Sequence, residues 1–308
     1  MASLKTLAKR EEKERKFESG HSLCAGCGLP IAVRTILNST EGSVVASNAT
    51  GCLEVATSRF PTSAWNIPWI HNAFENAAAT ISGAESAYRS LKRKGKIDQE
   101  TNFVAFAGDG GTYDIGLQSL SGALERGHDF TYVTLDNGAY MNTGIQRSSA
   151  TPKGASTTTA PAGKETYGKQ RKRKNLTEIV AAHEIPYVGQ ASISNLTDLS
   201  NKAEKAIHSD GPAFLNVLST CQLGWRVPPK DTISIAQKGV DTCFWPLYEV
   251  DDGEYNITYE PKEKLPVEEW LKPQKRFAAL FKTGNEKVIE EIQGDVDEDW
   301  EKLKGKAA

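Results

Sequence analysis

The sequence has no long hydrophobic run and no excess of charge of one sign. Its apolar stretches are all interrupted by polar residues or glycine, well short of the roughly 20 consecutive apolar residues that span a bilayer. Lysine and arginine number 37 against 39 aspartate and glutamate residues, which leaves a net charge of −2. Because nucleic-acid binding usually requires an excess of basic residues, we expect neither a membrane nor a nucleic acid as a partner.

Cysteine is also scarce, and the N-terminus has no apolar segment. Residues 1–20 carry many charges of both signs and lack the hydrophobic core of a secretory signal, so we expect a cytoplasmic protein. In that compartment the five cysteines are interpreted as free thiols, metal ligands or catalytic groups and not as a disulfide framework. A hydrophobic content of 39% with 25% charged residues is typical of a globular chain, which excludes a disordered, collagen-like or coiled-coil protein.

The middle of the chain alternates between short apolar runs and helical patterns. Apolar residues at helical spacing predict helices between the runs, the longest over 70–93. The runs that predict buried strands lie at 44–46, 103–107, 130–135 and 213–218. This alternation predicts an α/β fold built on a doubly wound parallel sheet.

The pattern loosens beyond Cys221. Residues 1–225 are expected to form the α/β domain, interrupted by a long loop over 144–175 that is rich in threonine, serine, glycine and lysine. A loop of this length in a compact domain is often functional. Residues 226–308 are expected to form a mostly irregular C-terminal extension that ends in an acidic amphipathic helix.

Four of the five cysteines are predicted to lie at one edge of the sheet. Cys24 and Cys27 form a CxxC motif, while Cys52 and Cys221 follow the C-terminal ends of the first and last predicted strands. Parallel strands share the edge at which ligands bind, and four thiolates there suit either zinc or an iron–sulfur cube. Because zinc sites more commonly pair two CxxC motifs, we favour a [4Fe–4S] cluster, with structural zinc second. Cys243 has apolar neighbours and is expected to be an inert buried thiol.

A glycine-rich turn follows the second buried strand. The sequence Gly108-Asp109-Gly110-Gly111 precedes a predicted helix, where glycines and a helix N-terminus allow a phosphate to approach the backbone. Asp109 would then hold a divalent cation bridging the phosphate oxygens, and Asn137 ends the next strand at the same edge. A lone Gly-Asp-Gly is often an ordinary turn, but this spacing to an asparagine is that of the thiamine diphosphate motif.

Together these residues resemble the β subunits of the pyruvate:ferredoxin oxidoreductases, within the 2-oxoacid:ferredoxin oxidoreductase family. The resemblance covers nearly the whole chain and implies a sheet of the thiamine diphosphate-binding type. The segments that carry it are GHSLCAGCGLPIAVR (20–34), NATGCLEVATSRFPTSAWNIPWIHNAFENAAAT (48–80), GDGGTYDIGLQSLSGALERGHDF (108–130) and DNGAYMNTGIQRSSATPKGASTTTAP (136–161).

The resemblance implies a cofactor role for each motif. Asp109 and Asn137 match side-chain ligands of Mg²⁺, and the carbonyl of Ala139 matches a third. The residues that match the loop around the cofactor's diphosphate are Gly108, Gly110 and Gly111. The residues that match the ligands of a [4Fe–4S] cluster are Cys24, Cys27, Cys52 and Cys221.

Two further segments match the surroundings of the cofactor. Asn142 matches an asparagine close to the reactive thiazolium ring and is the candidate catalytic residue. Thr50, Gly51 and Cys52 are expected near the cofactor as well. For Glu54 two interpretations stay open, a cofactor contact or a structural carboxylate satisfied by nearby backbone.

The implied reaction is the reversible oxidative decarboxylation of pyruvate with coenzyme A, which yields acetyl-CoA and CO₂ and passes electrons to ferredoxin. The chain is expected to be active only with partner subunits, namely α, γ and ferredoxin-like δ subunits or fusions of them. One alternative is a sibling enzyme for oxalate or branched-chain 2-oxoacids. Another is a zinc-stabilised scaffold without catalysis.

Overall fold

One eight-stranded sheet forms the centre of the molecule, which the computed structural model describes over residues 3–282 and 284–308. In chain order the strands are β1 Ser43–Ala49, β2 Trp69–Asn72, β3 Thr101–Gly108, β4 Thr131–Asp136, β5 Tyr187–Ser192, β6 Ala213–Leu218, β7 Leu247–Asp251 and β8 Glu254–Tyr259. Their order across the sheet is β2-β1-β3-β4-β6-β5-β7-β8. The first six strands of that order run parallel, and β7 and β8 run antiparallel to their neighbours.

Helices cover this sheet on both faces, and every residue of β4, β5 and β6 is therefore buried. The helices are α1 Leu4–Lys13, α2 Leu29–Leu37, α3 Cys52–Thr57, α4 Ala77–Arg93, α5 Leu117–Glu125, α6 Leu176–Ala181, α7 Leu196–Ile207, α8 Gln222–Trp225, α9 Thr232–Asp241, α10 Glu268–Leu271 and α11 Glu286–Lys306. The predicted doubly wound α/β fold is therefore confirmed. Within the described residues no helix is both long enough and apolar enough to cross a bilayer.

The predicted helix over 70–93 is correct only from Ala77. Trp69–Asn72 is instead a short edge strand, paired in parallel with β1 so that Ile70 lies opposite Ser47. The apolar residues at 70 and 74 happened to extend the helical spacing of α4. The free edge of β1 decided the conformation, because it offers backbone hydrogen bonds that spacing alone cannot reveal.

The C-terminal extension is more regular than predicted. It adds α9 and the hairpin of β7 and β8, and β7 pairs with β5 in the central sheet. The turn of the hairpin is Asp252-Gly253, both with positive φ, which is the sequence that favours a tight hairpin turn. That signal was present in the sequence. The acidic terminal helix is confirmed as α11.

The topology creates a crevice between the ends of β1 and β3. The chain leaves β1 toward β2 on one side and leaves β3 toward β4 on the other. Ligands of open α/β sheets bind where the direction of winding reverses in this way. The segments that begin at this edge are those after β1, β3, β4 and β6, and they carry the predicted site residues except Cys24 and Cys27, which precede α2.

Candidate active site

A cavity of about 470 Å³ opens at the reversal point. Its walls include every residue predicted to lie near thiamine diphosphate or Mg²⁺ except Glu54, namely Thr50, Gly51, Cys52, Gly108, Asp109, Gly110, Gly111, Asn137, Ala139 and Asn142. Apolar side chains from other segments complete it, including Leu29, Leu53, Phe74, Leu135 and Met141. Such a mixture of apolar walls and converging polar groups is typical of a cofactor site.

The glycine loop leaves room for a ligand at this wall. A Cβ atom at Gly108 would meet nothing within 4 Å, whereas one at Gly110 would lie 2.4 Å from the ring of Tyr140. Gly110–Ile115 forms a π-helical turn that leads into α5, a geometry found often at functional sites. The first N–H groups of such a helix lack intrahelical partners and favour an anion.

Three oxygen atoms converge beside the glycine loop. The side-chain oxygen of Asn137 lies 2.9 Å from the carbonyl oxygen of Ala139 and 3.0 Å from Oδ1 of Asp109. Three acceptors cannot satisfy one another, so either the amide is turned to donate or a cation lies between them. Neighbouring oxygens around an octahedral Mg²⁺ with bonds of about 2.1 Å are separated by roughly 3.0 Å. The donor set therefore fits a magnesium ion.

Asp109 is fully enclosed in this cluster. Burial raises the pKa of its carboxyl group well above the ordinary value, and the nearby negative charge of Asp136 raises it further. Ser148 donates a hydrogen bond to Oδ2, and the backbone N–H of Asn137 donates to Oδ1 at 3.4 Å. A divalent cation would restore the ionised form of Asp109.

Asp136 is held by groups that sequence analysis missed. Its Oδ2 accepts hydrogen bonds from Tyr113 at 2.6 Å and from the guanidinium of Arg173 at 2.7 Å. Its Oδ1 accepts from the N–H of Gly138 at 3.0 Å, which fixes the turn between two of the predicted metal ligands. Nothing local in the sequence pairs Arg173 with Asp136, because the pair is formed across the fold.

The long loop over 144–175 packs against the same turn. Thr151 donates to the carbonyl of Gly138 at 2.8 Å. The ammonium group of Lys169 donates to the carbonyls of Ser149 at 3.0 Å and of Thr151 at 2.5 Å. Burial lowers the pKa of Lys169 to about 8. The loop thus supports the oxygen cluster from behind.

Four cysteines gather at the other end of the cavity. The N–H of Gly28 donates to the carbonyl of Thr220 at 3.1 Å, which joins the CxxC segment to the residue before Cys221. Cys52 is the first residue of α3 and also lines the cavity. Cys243 is buried elsewhere, beside α11.

The thiols of this group influence one another. Burial raises the pKa of Cys27 to about 12, and repulsion from thiolates at Cys221, Cys52 and Cys24 adds to this effect. Burial likewise raises the pKa of Cys52 to about 12. The raised pKa values of Cys27 and Cys52 favour protonated thiols in the absence of a metal, and metal binding would release those protons.

Glu54 lies apart from the cavity wall. Its carboxylate accepts a hydrogen bond from Ser58 at 3.2 Å and lies 3.8 Å from the imidazole of His71. His71 also contacts the hydroxyl of Thr50 at 2.8 Å. These contacts favour the structural interpretation of Glu54, and His71 is a neighbour of the site that sequence analysis did not identify.

Comparison with known families agrees with this geometry. Residues 49–217 match the family described as thiamine pyrophosphate enzyme, C-terminal TPP binding domain. The matched range begins at the last residue of β1 and includes β3, β4 and nearly all of β6, and the ends of these strands surround the cavity. Fold and site together define a cofactor-binding domain of the thiamine diphosphate enzymes.

Curated relatives narrow the class further. The chain is 52% identical to pyruvate synthase subunit PorB of Thermotoga maritima, over 98% of this chain and 95% of the relative. It is 51% identical to the subunit of the same name in Methanocaldococcus jannaschii, over 93% of this chain and 95% of the relative. Ketoisovalerate oxidoreductase subunit VorB of Pyrococcus abyssi is 43% identical, over 94% and 93% of the two chains. The chain belongs to the PorB family of 2-oxoacid:ferredoxin oxidoreductase subunits, which confirms the resemblance.

A solved structure supports the fold. The 2-oxoglutarate:ferredoxin oxidoreductase of Magnetococcus marinus, with 2-oxoglutarate, coenzyme A and succinyl-CoA bound, matches with a TM-score of 0.55. The match covers 72% of this chain and 79% of that one, at 21% identity. At this identity the likeness concerns the fold alone.

Proposed function

We propose that this chain binds thiamine diphosphate, Mg²⁺ and a [4Fe–4S] cluster within a pyruvate:ferredoxin oxidoreductase. The proposed reaction converts pyruvate, coenzyme A and two oxidised ferredoxins to acetyl-CoA, CO₂, a proton and two reduced ferredoxins, reversibly. The observation that carries the proposal is the position of Cys52. This residue lines the cofactor cavity and also lies close to the other cysteines predicted to bind the cluster. An electron acceptor bound there would adjoin the reacting centre.

The chain's own residues have separate tasks in this proposal. Asp109, Asn137 and the carbonyl of Ala139 would hold Mg²⁺, and the glycine loop would receive the diphosphate. Asn142 lines the cavity and is proposed to lie near the reacting carbon. When bound, the two cofactors supply an electron sink for decarboxylation and a one-electron acceptor beside it.

The arrangement of the four cysteines favours an iron–sulfur cluster over a zinc ion. Zinc requires all four sulfurs at about 2.3 Å from one ion. Over residues 3–282 and 284–308, no group of three or more His, Cys, Asp or Glu side chains converges in a way that could hold a single metal ion. An iron–sulfur cube takes one thiolate at each of its irons, so its ligands need not meet at one point.

The names of the relatives support pyruvate, with a branched-chain 2-oxoacid as the second candidate. The pyruvate synthase subunit of Thermotoga maritima is 52% identical to this chain, and the ketoisovalerate oxidoreductase subunit of Pyrococcus abyssi is 43% identical. The partner subunits are proposed because these relatives are named as subunits, whereas ferredoxin and coenzyme A are proposed from the resemblance to the pyruvate:ferredoxin oxidoreductases. Comparing acetyl-CoA formation from pyruvate with acyl-CoA formation from 3-methyl-2-oxobutanoate distinguishes the two substrates.

The decisive experiment is metal and cofactor analysis of the complex purified anaerobically through a tag on this chain. The chain's contribution is isolated by comparing the wild type with Cys24→Ser and Cys243→Ser. We expect Cys24→Ser to lose about four iron and four sulfide per chain, the content of one cube. Cys243→Ser is the control, since Cys243 is not one of the four predicted cluster ligands.

Equal iron in all three proteins would contradict the ligand assignment. If the wild type contained one zinc per chain and Cys24→Ser lost no sulfide, the result would support the zinc-stabilised scaffold. Bound thiamine diphosphate is measured in the same samples, because the scaffold would contain none.

A further inference from the structure

Arg276 is a buried cation close to both predicted cofactor sites. It lies in the 3₁₀ segment Lys275–Phe277, and its side chain is 4% exposed. Its guanidinium carbon is 4.2 Å from the centre of the Trp225 ring and 5.0 Å from that of Phe277. Aromatic faces attract a guanidinium, yet they do not replace a counter-charge.

This arginine has no carboxylate partner among the described residues. The hydrogen bond found for its side chain runs from Nε to the amide oxygen of Gln274 at 2.9 Å. Arg173, the other arginine near the site, is instead paired with Asp136 at 2.7 Å. A buried charge without compensation is strongly unfavourable, so the surroundings of Arg276 are expected to hold an anion in the working protein.

The negative charges that act on Arg276 belong to the two predicted cofactor sites. Burial lowers the pKa of Arg276 to about 9, and the negative charge that opposes this most is Cys221, followed by Asp136 and Asp109. Its Nη1 lies 3.0 Å from the position that a Cβ atom would take at Gly138.

Trp225 connects Arg276 to both sites. Its backbone N–H donates to the carbonyl of Cys221 at 2.9 Å, and its indole N–H donates to the carbonyl of Asn137 at 2.7 Å. The guanidinium is therefore stacked on a ring that is hydrogen-bonded to the backbone of both predicted sites.

We propose that Arg276 is a positioning residue whose fixed positive charge raises the reduction potential of the cluster bound by the four cysteines. The inference rests on the proposed function. On reduction the cluster gains one electron and becomes one unit more negative. A cation held nearby in a medium of low polarity stabilises that reduced form more than the oxidised form, and charge and burial are among the factors that set such potentials.

The test is an EPR-monitored redox titration of the anaerobically purified complex. Arg276→Met and Arg276→Gln remove the charge, Arg276→Lys keeps it, and Phe277→Leu loosens the same segment without a change of charge. We expect more negative midpoint potentials in both neutral variants. The lysine and leucine variants should stay close to wild type. Iron per chain is measured in every sample.

Each outcome decides the proposal. Unshifted potentials in iron-containing neutral variants, or an equal shift in Phe277→Leu, would overturn it and leave Arg276 a packing residue. Iron retained with Lys but lost with Met and Gln would support the need for charge, whereas loss from all three Arg276 variants would show that shape matters instead. Failure of the proposed function is distinct, since the wild-type complex would then contain no iron–sulfur cluster.

Discussion

At the scale of single residues, the site depends on two neighbouring buried carboxylates, of which only one has a positively charged partner. Asp136 has its counter-charge in Arg173 and a hydrogen bond from Tyr113. Asp109 accepts hydrogen bonds but has no cation among the described residues, and its pKa is raised, first by burial. The asymmetry favours a metal ion at Asp109.

Replacing Asp109 by asparagine should remove the response to the cofactor. Wild type should be stabilised by Mg²⁺ with thiamine diphosphate, by about 2.7 kcal/mol at a ligand concentration 100 times Kd, and Asp109→Asn should not respond. Thermal unfolding of the complex with and without both ligands measures this. Asp98→Asn, a change at an exposed carboxylate, is the control and should respond as wild type does.

Without ligands, the difference in stability between wild type and Asp109→Asn should depend on pH. Because the folded-state pKa of Asp109 is raised, its contribution to stability is complete below the ordinary carboxyl pKa and is lost as pH rises through the raised value. The metal-free Asp109→Asn protein should therefore exceed wild type in unfolding temperature, by a margin that grows with pH. A constant margin between acidic and neutral pH would contradict the raised pKa.

Arg173→Met should destabilise the protein strongly. It leaves Asp136 buried without its counter-charge, which typically costs roughly 3–5 kcal/mol. Denaturant unfolding measures the loss. The double variant Arg173→Met with Asp136→Asn should recover part of it, and an equal loss in both proteins would show that the ion pair is not the cause.

At the scale of elements, backbone contacts between distant turns bring the cysteines together. The turn between Cys24 and Cys27 contains Gly26 with a φ of +75°. A Cβ atom there would lie 2.6 Å from the carbonyl oxygen of Pro229. This close approach joins the CxxC turn to the segment before α9, and it requires glycine.

Gly26→Ala should therefore lower the iron content of the complex. The left-handed backbone alone costs of the order of 1 kcal/mol for alanine, and the clash with Pro229 would displace the CxxC turn as well. Gly20→Ala is the matched control, because Gly20 has a φ of +90° but nothing within 4 Å of its Cβ position. Equal iron in the two variants would mean that the contact with Pro229 does not position the ligands.

At the scale of the whole molecule, the segment after residue 225 completes the sheet and the core. β7 covers the edge of β5. The indole N–H of Trp245 donates to the carbonyl of Ala191 at 2.8 Å, and its ring stacks on the guanidinium of Arg173 at 4.5 Å. The extension therefore shares its core with the α/β domain.

A fragment of residues 1–225 should consequently not fold cooperatively. It would expose the edge of β5 and leave Arg173 without the rings of Phe244 and Trp245, while the full chain should unfold in one transition. Circular dichroism during heating tests both statements. A cooperative transition in the fragment would support an independent domain ending at residue 225.

The sequence by itself determined the fold class, because the alternation of buried runs and helical patterns is local. It also placed Asp109 and Asn137 at one cavity, since parallel strands end at a common edge, whereas Asn142 was expected there from the family resemblance. It did not reveal the edge strand at Trp69–Asn72, whose conformation depends on the free edge of β1.

Only the tertiary structure decided how the site is supported. Ser148, Arg173 and Arg276 reach the site from the long loop and from the C-terminal segment. None has a motif, because each acts through a contact with a residue far away in the chain. Local patterns specify strands, helices and turns, whereas the balance of buried charge is set where distant segments meet.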